Sequence, residues 1–268
     1  MAAIDNEIYN TPGDIWWQPD TVLYLLKTSM NPPRVSYFRR VLLDEMKIRP
    51  AGKRALEVGC GGGILCEEIA RMGFDTTGVD PSASSLETAR HHATASGLQI
   101  QYEAGTAERL PYADASVDVL FCCDVLEHVH DVHATIAEFA RVLKPGGVFC
   151  YDTLNRTFVS WLIAIKVWQD WTRYAFMPRN LHVWRMFIKP QELTALLSEN
   201  GFEPGEPRGM SAHMSPLRML SLLRARAKGE MTYAELGAHL QLRESADLKI
   251  SYMGVGTRLA MAQSEVLR

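Results

Sequence analysis

The sequence predicts an α/β fold: a doubly wound, mostly parallel sheet of seven strands, with a helical cap before it and an aromatic lid segment inserted into it. Three observations carry this. Short apolar runs alternate with helix-like stretches from residue 54 to residue 152, the pattern of consecutive βαβ units. The first run passes into a glycine-rich turn, EVGCGGG at residues 57–63. The second run ends on an acid, Asp80. In such sheets ligands gather at the carboxyl ends of the strands.

RALEV (54–58) is a short apolar run before glycines, hence a buried strand. Residues 64–72 read as a helix, DTTGVD (75–80) as the second strand, and 84–96 as a helix with Ser82 or Ser84 as its cap. IQYEA (100–104) and VDVLFCC (117–123) supply strands three and four. Residues 134–143 form a helix closed by Lys-Pro-Gly-Gly, and VFCYD (148–152) is the fifth strand. A helix over 190–200 precedes two last strands, near 202–208 and 248–258, with a helical insertion at about 216–243 between them. The implied organisation is a helical cap over residues 1–50 and one ligand-binding domain over 51–268, with a lid insertion at about 156–188.

Composition narrows the function. The 268 residues are 47% hydrophobic and 22% charged, ordinary for a globular protein. A formal charge of −3 speaks against nucleic acid as a partner held by general electrostatics. The first residues, MAAIDNEIYNTPGD, have neither the apolar core of a secretory signal nor the arginines of a transit peptide. No run reaches the ~18 apolar residues of a membrane span. Five cysteines without a C-x-x-C pair suit buried, reduced thiols. The expected location is therefore cytoplasmic.

Glycines at 59, 61 and 63 let the backbone turn sharply and approach a ligand closely. A dinucleotide would use the same loop for its pyrophosphate. S-adenosylmethionine has no phosphate and needs a glycine backbone plus a carboxylate for its ribose. Glu57 before the first glycine and Asp80 at the end of the second strand fit that donor better than NAD.

Further segments carry a family resemblance. VGCGGGIL (58–65), LEHV (126–129), LKPGG (143–147), TLNR (153–156), SWL (160–162) and FIKP-x-EL (187–193) recur in this order in the ubiquinone-biosynthesis O-methyltransferases. WW at 16–17, MNPPR at 30–34 and SYM at 251–253 match that family's cap and last strand. The chain thus resembles a Rossmann-like class I S-adenosylmethionine-dependent methyltransferase over most of its length. The resemblance implies that Arg34 meets the donor's carboxylate and that Glu57, Gly59, Gly61 and Asp80 form the glycine loop and ribose contacts. It also implies that Thr106 and Ala107 lie at the adenine and that Cys123 lines the pocket. Thr106 stands where the family has an aspartate.

CCDVLEHVHDVH (122–133) looks like a metal or redox site. Asp124, Glu127 and His128 have the i, i+3, i+4 spacing that shares one face of a helical turn. The family resemblance implies a divalent-metal site here, with Mg²⁺ or Zn²⁺ as candidates. A phenol with pKa about 10 is scarcely ionised at neutral pH, and making its anion costs roughly 4 kcal/mol. A cation could offset that cost, or His128 could take the proton itself. His130 and His133 read as solvent-facing.

FVSWLIAIKVWQDWTRYAF (158–176) has Phe158, Trp161, Leu162, Ile165 and Trp168 at helical spacing. It reads either as a helix packed on the core or a dimer face, or as a lid over an apolar acceptor that also touches a membrane surface. With Trp16, Trp17 and Asn155 of TLNR, Trp161 and Trp168 are the expected acceptor and lid residues. The leading function is O-methylation of an apolar aromatic or quinol-like small molecule. The alternatives are a secondary-metabolite methyltransferase acting on nitrogen or carbon, and a donor-binding scaffold without chemistry.

Overall fold

The computed structural model describes residues 4–11 and 13–260. A 3-10 turn at Glu7–Asn10 and a π-helical turn at Leu26–Met30 lead into helix α1, Asn31–Arg39, which continues as a π segment to Glu45. The core units follow: β1 Arg54–Val58, α2 Ile64–Arg71, β2 Asp75–Asp80, α3 Ala83–Ala95, β3 Gln101–Ala104, β4 Val117–Cys123, α4 Val132–Val142 and β5 Leu143–Leu154. Ser82 caps α3 by accepting from Ser85 N, and Asp131 caps α4 by accepting from Ala134 N. The lid begins with a short helix, α5 Phe158–Ser160, and runs on as a π-helix over Trp161–Asp170.

The chain finishes with α6 Pro190–Glu199, β6 Phe202–Pro204, β7 Arg208–Ala212, α7 Pro216–Ala227, α8 Tyr233–Leu240, β8 Leu242–Ser245 and β9 Ser251–Arg258. The sheet order is β3-β2-β1-β4-β5-β9-β7-β8, with β6 also paired to β9. β1 to β5 are parallel, whereas β9 runs antiparallel to β5. The predicted mostly parallel doubly wound sheet is present.

Its strand count differs from expectation: nine strands among the described residues, not seven. The single strand expected near 202–208 is two, because β9 is long enough to pair with β6 at one end and β7 at the other. The helical insertion ends in a further strand, β8, which pairs with β7.

β4 is wholly apolar at its centre, with Val119, Leu120, Phe121 and Cys122 fully buried. One face packs Leu56, Leu120, Phe139, Phe149 and Leu197, and the other packs Phe38, Leu42, Ile69, Phe121 and Cys150. With both faces covered, function is confined to the strand ends. All five cysteines are buried, unpaired thiols. Among the described residues, no helix is long and apolar enough to cross a membrane.

Candidate active site

The site lies where β1, β2, β4 and β5 end together. Gly59 follows β1 with φ +74°, and a β-carbon there would overlap the side chain of Val125. Gly61 and Gly62 lie directly beneath Trp16, whose ring leaves no room for a β-carbon at either position. Asp80 closes the loop: its carboxylate accepts from Gly61 N (2.9 Å) and Ser82 N (2.8 Å). Burial raises the pKa of Asp80, and these two amides oppose the rise. Glu57 is buried with one oxygen, Oε2, lacking a partner. Burial pushes it up to about 8, against the pull of Cys66 and Arg34.

Arg34 reaches these strand ends from α1. Its guanidinium is ion-paired with Asp124 and Asp152 and donates to Asn31 Oδ1 at 2.9 Å. Asp152 also accepts from Asp124 N at 2.9 Å. Burial alone would weaken the charge of Arg34, but Asp124 and Asp152 more than offset this and its pKa rises.

The trio Asp124, Glu127 and His128 does not stand on a helix. Asp124 adopts φ +54°, and the chain then folds into a turn closed by His128 N donating to Val125 O at 2.8 Å. The reversal at Asp124 sends its carboxylate to Arg34. Glu127, 1% exposed, accepts from the Thr153 hydroxyl at 2.8 Å and leaves Oε1 without a partner. Burial, reinforced by Asp124, pushes Glu127 above the ordinary carboxylate range. Among the described residues, no group of three or more His, Cys, Asp or Glu is placed to hold a metal ion. The trio as it stands does not fit a cation, because Asp124 is already neutralised by Arg34.

His128 Nδ1 lies 3.0 Å from Asn6 Oδ1, while Nε2 is buried without a partner. Tyr9 stands edge-on to the imidazole at 6.0 Å, and His182 lies at 5.2 Å. Burial, with His182 beside it, lowers His128 to about 3, so the ring is neutral near neutral pH.

Other expected site residues are spread more widely. Ala107 is packed in the core, whereas Thr106 is exposed. Cys123 is core beside the site, its thiol held protonated by burial. Trp17 donates to Gly62 O at 2.8 Å and stacks on His92 at 3.3 Å. Asn155 donates to Leu248 O at 2.7 Å and keeps a buried oxygen, Oδ1, unpartnered. Trp168 packs against a cluster of Leu154, Ala164 and Phe187, while Trp161 is half-buried beside Phe158.

Sequence reasoning missed Asp152, Asn6, Tyr9 and His182. Asp152, an acid inside the apolar run VFCYD, was the one with a local signal. Tyr9 is surrounded by the site's acids: burial and then Asp124, Glu127 and Asp80 raise its phenol above the ordinary range.

Residues 56–151 match the methyltransferase domain family. A ubiquinone biosynthesis O-methyltransferase from Azorhizobium caulinodans is 38% identical over 216 residues, covering 78% of this chain and 83% of that protein. One from Hahella chejuensis is 41% identical over 197 residues, covering 73% and 79%. Among solved structures, the YcgJ protein of a Bacillus superposes with TM-score 0.58 at 20% identity, covering 85% of this chain and 98% of that one. A putative methyltransferase from Bacillus halodurans C-125 gives 0.57 at 16% identity, covering 84% and 99%, a likeness of fold.

Proposed function

Because the chain belongs to the ubiquinone biosynthesis O-methyltransferase family, we propose that His128 takes the proton from a quinol-like acceptor's hydroxyl during methylation. Membership makes the protein an S-adenosylmethionine-dependent O-methyltransferase. The observation that carries the proposal is the buried, unpartnered Nε2 of His128 in the turn that follows β4.

The donor, when bound, supplies an electrophilic methyl on a sulfonium. The residues present fit it: Asp80 for the ribose hydroxyls, the backbone of Gly59 and Gly61 for close approach, and Glu57 Oε2 as an acceptor without a partner. Thr106 and Ala107 are the adenine-side residues of this reading, and Cys123 is pocket wall. Arg34 acts through Asp124 and Asp152, fixing the chain reversal that carries Glu127 and His128.

With the donor bound, its sulfonium would supply the methyl group to the acceptor's oxygen and leave as the thioether, and His128 Nε2 would take the hydroxyl proton. A buried base exchanges the sulfonium's charge for that of an imidazolium, so no net charge is created in the site. Asp124 is the acid whose charge favours that imidazolium. A divalent cation would need Asp124 to leave Arg34, and no step here runs through one.

The lid bears on the acceptor's apolar part. Phe158 is 70% exposed, and Leu162 and Trp171 are exposed with it, beside Lys166 and Arg173. An apolar face edged by cations suits a prenyl-like tail and the surface of a membrane. Trp161 belongs to this face, and Trp16 and Trp17 close the opposite side of the site.

The test is His128→Ala. It should lower kcat ~10²-fold and leave affinity for adenosylhomocysteine intact. Turnover at the wild-type rate would end the reading. Parallel assays in chelator complete it: retained activity keeps the proton on His128, and activity restored only by Mg²⁺ or Zn²⁺ would return the trio to metal binding.

A further inference from the structure

Residues 5–11 and 13–17 cross the ends of the strands as a strap. Asp5 N donates to Asn180 O at 2.9 Å, which ties the strap's start to the lid side. The Tyr9 carbonyl accepts from the Ser82 and Ser85 hydroxyls, each at 2.7 Å. Tyr9 stacks on Trp16 at 5.7 Å, and Trp16 Nε1 donates to Ser85 Oγ at 3.0 Å. A strap fastened at both ends places one polar side chain on the base: Asn6, whose Oδ1 lies 3.0 Å from His128 Nδ1.

We infer that Asn6 is a positioning residue for His128, holding the imidazole as the tautomer that carries its hydrogen on Nδ1. An amide oxygen only accepts, so the nitrogen facing it must donate. The second nitrogen, Nε2, is then left as a lone pair, and it is the one that is buried with no partner. The hydrogen bond made by one ring nitrogen decides what the other can do. A free neutral imidazole favours the opposite tautomer, with hydrogen on Nε2, which could not accept a proton there. Asn6 therefore selects the reactive form, and does so from the strap, 122 residues away in sequence. The base is complete when the strap is seated.

The inference rests on His128 being the base, and the experiment separates the two. In the ¹⁵N-labelled full chain, long-range proton–nitrogen spectra assign the tautomer of His128, with His128→Ala identifying its signals. The wild type should show hydrogen on Nδ1. Asn6→Leu should lose that preference and lower kcat ~10–100-fold, with adenosylhomocysteine affinity and Tm unchanged. Asn6→Asp, whose carboxylate also accepts, should recover the tautomer and most of kcat. Hydrogen on Nε2 in the wild type, or an Asn6→Leu variant with wild-type kcat, overturns the role of Asn6. Wild-type turnover in His128→Ala overturns the base instead, whatever the tautomer.

Discussion

Arg34 and Asp152 form an ion pair across 118 residues of chain, with side chains 3% and 1% exposed. The pair joins the N-terminal cap to the end of β5, and Asp124 shares the same guanidinium. Removing the cation leaves two carboxylates without their partner, and that of Asp152 is fully buried. Arg34→Met should cost ~3–5 kcal/mol in urea unfolding, the scale for breaking a buried pair. Combining it with Asp152→Asn should recover part of that loss. Arg34→Met with wild-type stability would show that the pair does not join cap to sheet.

Asp80→Ala should weaken adenosylhomocysteine binding by ~2–4 kcal/mol, since each hydrogen bond to a charged group is worth ~1.5–3. The carboxylate also holds the amides of Gly61 and Ser82, so its loss loosens the loop as well. Calorimetric titration measures this, and an affinity within threefold of wild type would remove Asp80 from the donor site.

Stability should fall as pH rises, through Glu57. Its folded pKa of about 8 lies above its ordinary 4.5. Between those values the folded state holds a proton that the unfolded state has released, so the contribution is full below ~4.5 and lost as pH climbs through ~8. Glu57→Gln keeps the shape and removes the titration. Unfolding midpoints at pH 5 and pH 8 should therefore lie closer together in Glu57→Gln than in the wild type.

The lid's two aromatic faces should behave differently. Trp168 packs on Leu154 and Phe187 and should cost about 2–3 kcal/mol of stability as Trp168→Ala, somewhat less than a fully buried large side chain. The double variant Phe158→Ser, Leu162→Ser alters exposed positions and should stay within ~0.5 kcal/mol. Its kcat/KM should fall for long-tailed acceptors and hold for short ones. An equal fall for both would make the face unconnected with the tail.

The five parallel strands were legible because each is a local apolar run bounded by glycine or an acid, and Asp80 was legible because it ends one of them. The turn at Asp124 was not. DVLEHV has helical spacing, but Arg34, from a distant part of the chain, takes the carboxylate and fixes φ at +54°. The split into β6 and β7 depends on β9, which lies later in the chain and offers an edge to both, and β8 pairs in turn with β7. Asn6 sits in IDNEIYN (4–10), which has no periodicity, and only the fold brings it to His128.

Trp16 covers Gly61 and Gly62, and Gly61 is one of the two glycines assigned to the donor under the proposed function. A donor that approaches Gly61 in the proposed way meets the indole first, so the expected outcome is that displacement of Trp16 takes part in turnover. Friction on that motion becomes part of the turnover clock. Added sucrose should slow kcat in proportion to solvent viscosity while leaving a slow variant such as His128→Ala, limited by chemistry, indifferent to it.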